Sequence, residues 1–159
     1  MTNPPPPSTP GERRLDRPPS DRFREAPAAD ARPGASAGSP ARAVAAAVVI
    51  GLIGVVATII LGGVLAFTAG LLVLAAAIGW GVASAVLVGA RGTLQRRTRV
   101  LVAVIVTAGT IVAGQVGLWL YAQAEGGVLS LPDHLAQTYG PLVPLQAMIA
   151  IGVTWWTAR

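Results

Sequence analysis

AVAAAVVIGLIGVVATIILGGVLAFTAGLLVLAAAIGWGVASAVLVGA, residues 43–90, runs for forty-eight positions without an Asp, Glu, Lys, Arg or His. As one helix it would reach about 72 Å at ~1.5 Å per residue, more than twice a ~30 Å hydrocarbon core. The stretch therefore has to turn back, and Gly62-Gly63 with Thr68-Ala69-Gly70 mark where it can. The expectation is two membrane-spanning helices, about 43–65 and 69–90, joined by a tight hairpin. Some forty residues precede the run, which argues against a signal peptide of ~15–30 residues.

Downstream, residues 100–122 form a third apolar segment and residues 142–158 a shorter fourth. At about 25 Å, the fourth lies near the lower limit of what can span. Between them, Ser130-Leu131-Pro132-Asp133 reads as an N-cap, a Pro in the first turn and an acid three residues on. Leu131, Leu135 and Tyr139 then share one side, and Gly140-Pro141 ends the turn, which predicts a short interfacial helix. The fold class is an all-α membrane protein: four transmembrane helices arranged as two helical hairpins. A disordered tail, residues 1–41, precedes the transmembrane domain, residues 42–159. The tail holds ten of the thirteen prolines and too few apolar side chains to offset the entropy of ordering.

Small residues recur at every fourth position: Gly54, Thr58 and Gly62 in the first helix, Ala77, Gly81, Ala85 and Gly89 in the second, and Gly109, Ala113 and Gly117 in the third. Lipid supplies no hydrophobic drive between helices, so such flanks mark faces where backbones can approach closely. Trp80 falls mid-span rather than in an aromatic belt, and is expected to pack in the core between glycine faces. Gln115 lies inside the third helix and should face protein, either as interhelical glue or as the lining of a pathway. Gln146, one turn into the fourth helix, is expected at the interface. Gln115, Trp80, Gly81 and Gly117 are thus the candidate packing or pathway residues.

All twelve basic residues are Arg, and the net charge is +5. With four spans, every Arg falls on one side: those of the tail, the Arg91–Arg99 loop and Arg159. Excess positive charge marks the cytosolic face, so both termini are expected there, in the cytoplasmic membrane. Arg91, Arg96, Arg97 and Arg99 are the candidate contacts to anionic lipid headgroups, worth ~1 kcal/mol each near such a surface. The basic charge thus points to the bilayer and not to nucleic acid.

The same inventory excludes much chemistry. No cysteine is present, which removes disulfides, thiolate metal sites and dithiol redox reactions. The apolar segments hold no titratable group for proton coupling, and the lone His is too few for haem ligation between helices. Glu125, Asp133 and His134 are the remaining candidates for a metal, but adjacent Asp133 and His134 point about 100° apart on a helix. No catalytic residue, cofactor or metal is therefore expected. The expected function is that of a non-enzymatic interaction or accessory subunit, whose tail contacts a cytosolic or membrane protein partner. Homo-oligomerisation is open to it. The alternative is a small oligomeric channel or carrier with a neutral pathway lined by Gln115 and Thr side chains.

Overall fold

Ser39-Pro40 sets the start of the first helix. Ser39 is extended and its Oγ accepts from the Arg42 amide at 3.1 Å, while Pro40 occupies a first-turn position where an N–H is not needed. From there the structure, a computed structural model that describes residues 38–159, is helical with no strand among the described residues. Residues 1–37, most of the expected tail, lie outside the described residues.

Helix α1 covers Pro40–Ile59 and continues through one π turn, Ile60–Val64. The chain does not reverse at Gly62-Gly63. It reverses at residues 65–67, where Ala66 takes a φ of 50°. Gly62 and Gly63 stay in the π turn because they are packing positions. A Cβ on Gly62 would meet Leu118 at 3.0 Å, and one on Gly63 would meet the Tyr121 ring at 2.9 Å. Helix α2 spans Thr68–Ala90 and ends on Arg91 (φ 41°) and Gly92 (φ 84°), the left-handed turn that closes many helices.

Helix α3 spans Arg96–Ala124, starting four residues earlier than residue 100. Arg96, Arg97 and Arg99 are therefore on its first turn and not in a loop. Helix α4 is Leu131–His134, extended by a π turn, Leu135–Tyr139, and capped by Ser130 as its sequence predicts. Helix α5 is Leu142–Ala158, and it meets α4 at an 88° bend across Gly140-Pro141. If α5 runs along a bilayer normal, α4 lies in the plane of its surface. The Tyr139 hydroxyl donates to the Gly62 carbonyl at 3.4 Å, tying α4 to the loosened end of α1.

Three helices, α1 to α3, are long and apolar enough to cross a membrane, and the bent α4–α5 pair makes a fourth if it counts as one span. These are the dimensions of a membrane protein. The order around the bundle is α1, α2, α5, α3: α2 packs most extensively on α5 and on α1, and α2 and α3 also touch across the diagonal. The first hairpin, α1–α2, is one of the two main packing units, while the fourth long helix docks more on α2 than on its sequence neighbour α3.

Side-chain size is distributed inside out. Ala43, Ala47, Ala83, Ala90, Ala103 and Ala158 are fully buried or nearly so, whereas Leu52, Ile53, Val73, Val88 and Met148 face outward. Leu71, Leu118 and Tyr139 make a second, bulkier cluster at the α4 end. This is what a bilayer asks for. Lipid solvates large apolar groups as well as protein does, so the interior goes to residues that let backbones close up.

Candidate functional site

Between α1 and α3 the contacts are reciprocal. Thr110 sits where a Cβ on Gly51 would fall, 2.5 Å from its Oγ1, and Thr58 packs on Gly114 at 3.2 Å from such a Cβ. Each Thr returns its hydroxyl proton to its own helix, Thr58 to the Gly54 carbonyl at 2.8 Å and Thr110 to Val106 at 2.9 Å. Gly117, a candidate from spacing, packs against Ile59, and Gly81 against Ile50. The expected flank of α3 is rotated, however. Gly109 has nothing within 4 Å, and it is Thr110, Gly114 and Leu118 that face inward.

The closest approach of a glycine on one helix to another helix is at Gly79, which spacing did not single out. A Cβ there would lie 2.3 Å from the Ala150 carbonyl oxygen and 3.0 Å from the Thr154 Oγ1. Around this point runs a short chain of hydroxyls. The Thr107 and Thr154 Oγ1 atoms are 2.9 Å apart, and Thr154 also lies 2.7 Å from the Ala150 carbonyl and 3.2 Å from that of Gly79. Carbonyls only accept, so the Thr154 proton goes to them and Thr107 donates to Thr154. The bundle's middle is thus polar, and its hydroxyls are satisfied.

About 12 Å further along α3, the Gln115 amide donates from Nε2 to the Gln146 Oε1 at 2.8 Å. Gln115 is 5% exposed and Gln146 3%. Gln146, near the start of α5, is therefore buried between helices against Gln115. The Gln115 Oε1 has no hydrogen-bond partner among the described residues. Trp80 corrects in the other direction. It is 62% exposed on the outer face of α2 and not in the core, because the inward slots beside it are taken by Gly79 and Val82.

At the opposite end the arginines divide into different roles. The Arg99 Nε donates to the Ala158 carbonyl at 3.0 Å, capping the end of α5, where a cation suits the helix dipole. Arg99 thus ties the start of α3 to the end of α5 through its Nε. Arg91 closes α2, while Arg96 and Arg97 are exposed. Arg159, absent from the candidate set, joins them. Its guanidinium lies 3.7 Å from the Trp156 ring centre and 4.6 Å from that of Trp155, a cation–π stack that holds it at the mouth of a cleft. Adjacency of Arg159 to Trp155-Trp156 in sequence was the available signal.

At the α4 end Asp133 and His134 diverge. Asp133 hydrogen-bonds with Ser130 and stays exposed, while His134 is buried with its ring edge-on to Tyr139, centroids 5.9 Å apart. Among the described residues no three His, Cys, Asp or Glu side chains come together as metal ligands. Comparison with protein-family models, curated proteins and solved structures finds no match. Function has to be read from this geometry.

Proposed function

We propose that the chain is a four-span, non-enzymatic integral protein of the cytoplasmic membrane, with both ends cytosolic, serving as an interaction or accessory subunit. The observation that carries this reading is the pairing of interior polar groups with one another. Gln115 meets Gln146 and Thr107 meets Thr154, so the amides and hydroxyls act between helices as glue. The rival, an oligomeric channel or carrier, has in its favour only the unpartnered Gln115 Oε1. A small, Ala- and Gly-lined bundle with its arginines at one end is suited to hold a position in the bilayer and to present a tail.

Two results are expected. A reporter fused after Thr93 reads as cytosolic and one after Ser130 as external; the reverse pattern would overturn the orientation. Crosslinking in native membranes captures a protein partner with the full chain but not after deletion of residues 2–40, while membrane insertion is unchanged. Equal capture by both would remove the tail from the interaction.

A further inference from the structure

We propose that the cleft between the start of α3 and the end of α5 binds one anionic glycerophospholipid. Its phosphate sits among Arg96, Arg97 and Arg159, and an acyl chain lies along Val100, Leu101 and Val104. The cleft encloses about 490 Å³ and is closed on the α5 side by Trp155. The inference deepens the membrane reading above and rests on it.

Three features converge. First, the lining is polarised along the helix axis. The guanidinium groups sit at one end, and the apolar side chains follow at i+4 and i+8 for about 12 Å, the charge pattern of an amphiphile in reverse. Second, negative charge is missing where it is most needed. Arg96 and Arg97 occupy the first turn of α3, the positive end of its dipole, and that turn has no acidic residue. The acids among the described residues, Glu125 and Asp133, follow α3 and sit in α4, at the other end of the bundle. Third, Arg159 is held in place beforehand by its stack on Trp156 and Trp155, so little freedom is lost when it meets an anion. Guanidinium forks match phosphate oxygens in geometry as well as charge. A choline headgroup would bring its own cation against three arginines, so the site selects phosphatidylglycerol-like lipids over phosphatidylcholine.

The test uses the full chain in neutral detergent, titrated with brominated-chain phosphatidylglycerol or phosphatidylcholine while tryptophan fluorescence is followed. Phosphatidylglycerol should quench at about tenfold lower concentration, and Trp155→Phe should remove most of that saturable component. Arg96→Gln, Arg97→Gln and Arg159→Gln should each lower phosphatidylglycerol affinity about fivefold, with phosphatidylcholine and the Arg91→Gln control unaffected. Equal affinity for the two lipids, or an Arg91→Gln loss as large as the others, would overturn the site in favour of diffuse surface charge. Displacement by millimolar glycerol phosphate would reassign it to a soluble phosphate and overturn the lipid. The titration does not depend on orientation in the cell, so its failure and a failure of the reporter fusions are separate results.

Discussion

Gly79→Ala is expected to destabilise the bundle by about 2–3 kcal/mol, and Gly79→Val by more. The added Cβ falls 2.3 Å from the Ala150 carbonyl oxygen, which belongs to backbone and has no rotamer to escape into. Relief requires α2 and α5 to move apart. That separation breaks the Thr154 hydrogen bond to the Gly79 carbonyl and loosens the most extensive helix pair in the structure. Denaturant titration in detergent micelles, followed by circular dichroism, measures the change. Gly109→Ala and Gly152→Ala are the matched controls, since nothing lies within 4 Å of a Cβ at either position. They should be neutral, or gain up to about 1 kcal/mol from better helix propensity. A Gly79→Ala variant as stable as these two would refute the close approach.

The glutamine pair gives the second large effect, and its two halves are unequal. Gln146→Leu strands the Gln115 amide with both Nε2 and Oε1 unpaired and buried, which should cost about 2–3 kcal/mol. Gln115→Leu leaves the buried Gln146 Oε1 without its donor but also removes the Gln115 Oε1 that was already unpartnered, so it should cost less, about 1–2 kcal/mol. The double leucine variant should return close to the parent, because no polar group is then left without its mate. Additive losses in this double-mutant cycle would show that the two amides do not interact. Ion or solute flux through vesicles carrying the protein separates glue from pathway. A wild-type flux that Gln115→Leu abolishes would favour the channel or carrier.

The helices themselves were legible because a bilayer leaves a chain few choices: long uncharged runs must be helical and must end near charge, Pro or a turn. Ser130-Leu131-Pro132-Asp133 could be read as a cap for the same reason, since capping is local. Facing was another matter. When both lipid and protein accept apolar surface, the hydrophobic pattern no longer says which side of a helix points inward. Trp80 and Gly109 turn out where spacing alone would have put them in, and Gly79 was hidden among nineteen glycines. The Gln115–Gln146 bond joins residues thirty-one apart, through a bend that no local signal measures. The Arg99 tie and the Arg159 stack were equally hidden, because only the folded chain sets one beside the end of α5 and the other over its tryptophans.

The placement of small residues inside and large ones outside has a consequence for how this polypeptide tolerates change. A scan that swaps Val, Leu, Ile and Met freely would leave most outward positions unmoved, however many it altered. The intolerant sites are those with the least to lose, Gly79, Gly89, Ala43 and Thr154, where one extra methyl group meets another helix's main chain or a buried hydroxyl. Hydropathy-conserving variation and structure-conserving variation are therefore different sets in this molecule. A descendant could look equally greasy and still come apart.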